Sequence, residues 1–461
     1  MNSLWPHQQK AKDEANTYSK RLLKWDPRLG KSLAAIECIK AWVPHNVGVV
    51  VAPLVVCPMW LALLRANGLD AVDASQGPLQ DRLLRIKRAK GTFVVVCNYD
   101  VVASLESLLL KLRPKLGFVV LDESHWIKSP KAKRARACRR LCWAVDNVRL
   151  LTGTPIPNNY GDLWGQMVCI NPDEWNKTYG KFAARHLIRH PIYPSKIIGY
   201  NDLPRILRLV EEGSHTVRRE DVFGPDQYQF VRRPLTLPVS AGLLYRVLAK
   251  EWVLESPGLT AEHVLKRLVR LQQLTSGYLP GDDGRIQDIH TAKIDAVLAD
   301  LDGVVEAGEK VILFHKFKWE SARYQLEIAK RFPGVPVHII AGGVDSNRRT
   351  AAIACIADSV GSAVVIAQTQ AGGIGISFAE AKHVMFVSSS YSFVGRKQAM
   401  DRVYAPGLRR VVYDYIMEGT IDVAIEKAVA GKSSLHESLR NIDKASIAFG
   451  FSDAFDKETN R

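Results

Sequence analysis

Short runs of β-branched residues alternate with longer amphipathic stretches along this chain, and the alternation occurs twice. Such a pattern requires strands that lie parallel to one another, with helices filling the crossovers. In the first half the strand candidates are Val49–Val51, Thr92–Cys97, Phe118–Leu121 and Arg149–Leu151. In the second half they are Val311–Phe314, Val335–Ile340, Ala363–Ala367, His383–Val387 and Val411–Tyr415. The fold class is therefore α/β. Open parallel sheets bind ligands at the carboxyl ends of their strands, so chemistry is to be sought in the turns that follow these runs.

Between the halves the alternation is lost. Residues 172–233 are polar, rich in His and Arg, and interrupted by Pro. Residues 241–279 read as two helices, one begun by Leu243, Leu244 and Leu248, the other marked by Leu265, Leu268, Leu271 and Leu274. The Pro-bearing stretch Pro225–Pro238 is the expected connection between the halves. Beyond about residue 441 the chain is a polar tail.

With 47% apolar and 24% charged residues over 461 positions, a long disordered chain is excluded. The 63 Lys and Arg outnumber 47 Asp and Glu by 16, which points to a polyanionic partner. Nucleic acid leads, an anionic membrane surface follows, and a merely well-solvated surface is the remaining reading. Seven cysteines include no CxxC pair, which leaves a zinc ribbon or redox motif without support and fits reduced thiols. No apolar stretch reaches about 18 residues and MNSLWPHQQK lacks a signal core, so a cytoplasmic protein without membrane contact is expected.

Three strand-end motifs carry the chemistry. Trp25-Asp26-Pro27-Arg28-Leu29-Gly30-Lys31-Ser32 precedes a helix-like LAAIECIKAW. Gly30 permits close backbone approach, the helix start offers unpaired N–H groups to phosphate, Lys31 supplies a cation, and the Ser32 hydroxyl can ligate Mg²⁺. Alone, GKS is also an ordinary loop-to-helix junction. Phe118–Leu121 ends directly in Asp122-Glu123-Ser124-His125, where Asp122 would hold a metal and Glu123 would deprotonate an attacking water. Leu150-Leu151 ends in Thr152-Gly153-Thr154-Pro155, a turn suited to sensing a γ-phosphate and passing that state on.

The order LGKS, DESH, TGTP resembles superfamily 2 helicases and translocases. LDESHWIKSPKAKRARACRRL and LLTGTPIPNNYGDLW look like the Swi/Snf-type branch of double-stranded-DNA translocases, in a compact bacterial or bacteriophage-like form. KVILFHKF, AGGVDSNRR, QTQAGGIGISFAEAKHVMF and QAMDRVYAPGL look like that family's four second-lobe motifs, in order. The resemblance implies two RecA-like, doubly wound parallel-sheet lobes with helical insertions between them. Lobe 1 would span 1–235, with an insertion at about 172–225. Lobe 2 would span 236–440, with a helical segment at about 241–280, and 441–461 would be the tail.

It further implies an ATP- and Mg²⁺-dependent, nucleic-acid-stimulated ATPase that tracks on duplex DNA as a monomer, in repair, replication or recombination. Trp5, His7 and Gln8 match the adenine-recognising segment, and Arg28, Leu29, Gly30, Lys31 and Ser32 the phosphate loop. Lys31, Asp122, Glu123 and Arg402 would be catalytic, with Ser32 and Asp122 on Mg²⁺. Gly375 and Arg402 would face the nucleotide from lobe 2, while Thr152, Gly153, Thr154 and Gln398 would couple the lobes.

DNA-binding candidates are Pro53, Asn98, Lys316, Lys318, Gly343, Arg348, Thr369 and Gly372, all in or beside strand-end turns where backbone N–H and short polar groups can hold phosphates. The basic run Lys131–Arg140, six of ten residues, is either a phosphate-binding helix face or a solvated one.

Two departures stand out. Arg28 occupies a usual Gly position, so either its backbone adopts a form Arg tolerates or its side chain contacts phosphate. Ala405 stands where the family has a second Arg, so Arg409 or Arg410 substitutes, or hydrolysis is poor, or the residue has been altered. The alternatives to a duplex translocase are an RNA or single-strand helicase and a nucleotide-gated DNA-binding scaffold. A nuclease subunit ranks below these, because no clustered Asp/Glu/Lys pattern remains outside the ATPase motifs.

Overall fold

A computed structural model of the chain describes residues 3–43, 46–112, 116–153, 155, 159–191, 197–225, 227–254, 261–281, 283–341, 346–369, 377–391 and 393–430. The chain divides into two compact units, Met1–Pro225 and Asp226–Arg461.

The first unit holds strands β1 (Lys20–Trp25), β2 (Val47–Ala52), β3 (Ala71–Asp73), β4 (Val94–Asn98), β5 (Leu116–Asp122), β6 (Asn147–Leu151), β7 (Leu187–Arg189), β8 (Ile197–Tyr200) and β9 (Ser214–Val217). Seven of them form one sheet in the order β3-β4-β2-β5-β6-β1-β9, with every pairing parallel. The middle of this sheet is built from the runs that look most apolar, since helices cover both faces and leave no wet side. All six residues of β2 are buried. Its one glycine, Gly48, lies under the Phe118 ring, where a Cβ would stand only 1.8 Å from the ring carbon. β7 and β8 form a separate antiparallel hairpin.

The second unit holds β10 (Tyr228–Leu235), β11 (Tyr278–Pro280), β12 (Ile286–Asp288), β13 (Lys310–His315), β14 (Val337–Ile340), β15 (Ala363–Gln368), β16 (His383–Phe386) and β17 (Arg410–Met417). Its main sheet runs β10-β17-β16-β13-β15-β14, again parallel throughout. One core packs Ile312, Phe314, Val384 and Val412 on one face, and another packs Val311, Leu313, Met385 and Tyr415 on the opposite face. The helices Val239–Leu254 and Ala261–Thr275 form a further cluster with Ile421 and Ile425 of the helix Ile421–Ala430.

The expected boundary at 235/236 moves. All eight residues of β10 pair with β17, so Tyr228–Leu235 belong to the second sheet rather than to a linker at the end of the first lobe. The tail expected at 441–461 lies outside the described residues.

Candidate nucleotide site

Strand order, more than any one motif, creates this site. β5, β6 and β1 are neighbours in the first sheet, so their carboxyl ends converge although they are far apart in sequence. β1 leads into residues 26–30 and the helix Lys31–Trp42, β5 ends on Asp122, and β6 is followed by Thr152.

The loop after β1 holds Arg28 and Gly30 at φ of 68° and 73°. Left-handed backbone costs a non-glycine residue about 1–2 kcal/mol, and Arg28 adopts it without glycine's freedom. Buried Leu29 lies between them. Its carbonyl accepts hydrogen bonds from His7 Nε2 at 2.9 Å and from Gln8 Nε2 at 3.2 Å. Gln8 is 3% exposed, and its Oε1 accepts the Trp5 backbone N–H at 2.9 Å. A Cβ on Gly30 would lie 2.1 Å from Gln8 Nε2, a close approach that only glycine allows. Trp5 packs edge-on against Phe223 at 5.2 Å, and His7 against Trp25 at 4.8 Å. The helix Pro6–Asp13 thus braces the loop from below.

Lys31 opens the following helix. Its ammonium donates to the carbonyls of Trp25 at 2.8 Å and Asp26 at 3.2 Å. Half-buried Ser32 is on the same first turn. A Cβ on Gly153 would come within 2.9 Å of Pro27 Cδ, so the turn after β6 lies against this loop.

Asp122 is buried. Trp60 Nε1 donates to its Oδ2 at 2.8 Å, and the Glu123 backbone N–H donates to its Oδ1 at 3.0 Å. Burial, then the adjacent Glu123 carboxylate, push Asp122 up to about 6, opposed by Trp60 and the Lys31 ammonium. A buried carboxylate beside a second carboxylate suits a hard divalent cation. Asp122 and the Ser32 hydroxyl fit Mg²⁺ as oxygen donors. Glu123 itself adopts φ 50°, and its Oε2 lies 3.2 Å from His125 Nδ1, which is 3.3 Å from Thr152 Oγ1. The ends of β5 and β6 are therefore linked through side chains.

Three supporting residues carry no local sequence signal. Trp60 lies 62 positions before the carboxylate it holds. The Tyr99 hydroxyl donates to the Asp122 carbonyl at 2.7 Å. Gln166 accepts from Ser124 Oγ at 2.8 Å and donates to the Pro155 carbonyl at 2.8 Å, joining the second motif to the third. Its place just beyond LLTGTPIPNNYGDLW is the only hint the sequence offers.

In the second unit, Gln398 and Arg402 lie one turn apart on the helix Phe393–Val403, both half-buried. Arg410 is 2% exposed and donates to the carbonyls of Val403 at 3.1 Å and of Ala379. It closes the end of that helix and cannot serve at the place of Ala405. Arg409 donates to Gln229 Oε1 at 2.9 Å, on β10.

The DNA-binding candidates divide. Lys318 is exposed at the start of the helix Lys318–Arg331. Pro53 is buried and opens the turn Leu54–Val56. Asn98 is buried, donating to the Ser75 carbonyl at 3.0 Å and accepting from the Asp100 N–H at 2.9 Å, so it shapes its own turn. Thr369 Oγ1 donates to the His315 carbonyl at 3.1 Å. The Lys316 ammonium is folded onto Gln272 Oε1, and burial lowers it to about 8 against the pull of Glu320 and Asp422. Arg348 is on the helix Ser346–Asp358, its side chain outside the described set, while Thr154, Gly343, Gly372 and Gly375 lie outside the described residues altogether.

Within the basic run, Arg134 pairs with Asp100 at 3.6 Å, Arg139 donates to the Pro130 carbonyl at 2.8 Å, and Arg140 grips Glu106. Lys131, Lys133 and Arg136 are exposed.

Comparison with known proteins agrees with this geometry. Residues 11–210 match the SNF2-related domain, and residues 292–407 match the helicase conserved C-terminal domain. TATA-binding protein-associated factor 172 of Homo sapiens is 25% identical over 415 residues, which cover 76% of this chain and 22% of that one. Putative protein p41 of Acyrthosiphon pisum secondary endosymbiont phage 1 is 27% identical over 272 residues, 56% of this chain and 57% of that one. The chain thus spans well under two thirds of either relative. Among solved structures, the Sulfolobus solfataricus SWI2/SNF2 ATPase core in complex with dsDNA aligns over 99% of this chain and 96% of that one, at 19% identity and a TM-score of 0.42. Two family matches in this order cover more than half of the sequence between them and fall on the two parallel sheets, so the chain belongs to the SNF2-related branch of the superfamily 2 helicase-like ATPases.

Proposed function

We propose that this chain hydrolyses ATP and uses the cycle to track along double-stranded DNA without reading its sequence. The observation that carries the proposal is the convergence of Lys31, the Asp122–Glu123 pair and Thr152 at the ends of three adjacent strands.

Lys31 and the N–H groups that open its helix would hold the β- and γ-phosphates. Mg²⁺ held by Ser32 and Asp122 would supply neutralisation of phosphate charge. Glu123, fixed beside His125, would take the proton of the attacking water. Arg402 would bring positive charge from the second lobe to the γ-phosphate, where a guanidinium stabilises the transition state. Thr152, Gly153, Thr154 and Gln398 would relay the phosphate state, so that closure and reopening shift the DNA grip between lobes. The excess of 16 positive charges favours a polyanionic track. A cytoplasmic place and a part in DNA repair, replication or recombination belong to the same proposal.

Phosphate release should rise with duplex DNA and fall to background in Lys31→Ala and Glu123→Gln, with folding unchanged. Greater stimulation by RNA or single strands would replace the duplex track, and normal turnover in either variant would defeat the roles of Lys31 and Glu123. A second reading, a nucleotide-gated DNA-binding scaffold with weak hydrolysis, is favoured by one observation. Arg410 is engaged in closing a helix, and Arg409 in a hydrogen bond to Gln229 on β10. Tight ATP binding with negligible turnover at saturating DNA would establish it.

A further inference from the structure

The insertion before β9 concentrates positive charge that the nucleotide site does not use. Residues 177–200 contain five Lys or Arg and two His, with no Asp or Glu. Their described part forms the helix Tyr179–His186 and the β7–β8 hairpin.

One face of this element is anchored. Leu187 and Ile197 turn their δ carbons to Gly161, within 3.5 and 3.3 Å of where its Cβ would be. The Tyr200 hydroxyl accepts the Tyr160 N–H at 3.3 Å, and the two rings meet edge-on at 5.2 Å. Under the helix, the Trp175 and Phe182 rings stack at 5.6 Å. The anchor is the turn Tyr160–Leu163, shortly after Thr152–Pro155.

The other face is open. Ile188 lies across Gly199, 3.2 Å from the place of its Cβ, and remains 42% exposed. Ile198 is at a register irregularity of the hairpin and is 50% exposed. Lys181, Arg185 and Arg189 are exposed beside them, Arg189 reaching the Tyr179 hydroxyl at 3.4 Å. A surface that joins exposed Lys181, Arg185 and Arg189 to two aliphatic side chains matches duplex nucleic acid. Phosphates there flank a groove whose sugar and base edges accept apolar contact. An acidic protein would match the charge but gives no role to isoleucines set on a narrow two-stranded crest.

We propose that this helix–hairpin element is a DNA-contacting site, with Lys181, Arg185 and Arg189 on phosphates and Ile188 and Ile198 in the groove. The inference rests on the reading that the chain works on duplex DNA, and its test needs only binding. The full chain is titrated into a fluorescein-labelled duplex of about 30 base pairs, without nucleotide, over about 50–200 mM salt, and anisotropy is followed. Lys181→Glu with Arg185→Glu should lower the slope of log affinity against log salt by about two and weaken binding about tenfold or more. Ile188→Ser with Ile198→Ser should weaken binding at unchanged slope. ATP turnover without DNA should stay at the wild-type level in both.

Wild-type slope and affinity in the charge-reversal variant would overturn the site, as would a wild type that does not bind duplex. A wild type that binds through these residues yet hydrolyses no ATP would sink the motor and leave this contact standing.

Discussion

Replacing Gly30 by Ala tests the brace beneath the phosphate loop. The backbone there sits at φ 73°, which costs a side-chain-bearing residue about 1–2 kcal/mol. The added Cβ would also stand 2.1 Å from Gln8 Nε2, so the Gln8 amide must leave its place. Leaving breaks two hydrogen bonds, to the Leu29 carbonyl and from the Trp5 N–H, each worth about 1 kcal/mol net. Gly30→Ala should therefore cost roughly 3–4 kcal/mol, and Gln8→Ala about 2. The double variant has no amide left to displace, so it should fall short of the sum by about 2 kcal/mol. Urea unfolding of the four proteins, with ATP binding measured in parallel, reads the cycle. Additive costs, or a Gly30→Ala change within about 0.5 kcal/mol of neutral, would refute the packing argument. ATP affinity should drop in both single variants, because each removes one of the two side-chain hydrogen bonds that hold the Leu29 carbonyl.

Three further outcomes are expected. Arg410→Ala removes a buried guanidinium from the carbonyls of Val403 and Ala379 and should destabilise the second lobe by about 3 kcal/mol in urea; Ala405→Arg should instead leave stability unchanged and raise DNA-stimulated phosphate release. Asp422→Ala strands buried Lys293, whose ammonium lies 2.6 Å from that carboxylate, at about 3–5 kcal/mol; Lys293→Met combined with Asp422→Leu should recover most of the loss in the same unfolding assay. Burial lowers His215 to about 4, so folding favours its neutral form. That stability is complete above the unfolded value near 6.5 and is lost as pH falls toward 4, so a His215→Gln melting profile should be flatter across this window than the wild type's.

Most of the strands that were legible in the sequence are those buried on both faces. Val49–Val51, Phe118–Leu121 and Val311–Phe314 read as unbroken apolar runs because a parallel sheet under helices has no solvated side. β1, β9 and β10 were not legible. Lys20 and Arg21 in β1 stretch their polar heads to the Cys142 carbonyl and to Glu14, and β9 and β10 are edge strands whose outer groups meet solvent. Pro225–Pro238 reads as a linker from its prolines and arginines, yet eight of its residues find a parallel partner in β17, 182 positions later.

The chemistry of each strand end was local, and so the sequence alone determined it: a Gly-Lys-Ser helix start, two acids closing a buried strand, a small hydroxyl turn. That these ends meet was decided only by the order β5-β6-β1; packing within the first unit set Trp60 and Gln166 behind them and turned Asn98 inward, and packing within the second turned Thr369 and Arg410 inward. The physical reason is range. Backbone preference and hydrophobic period act over a few residues, whereas strand order and the partners of a buried polar group depend on which distant segments exclude water together.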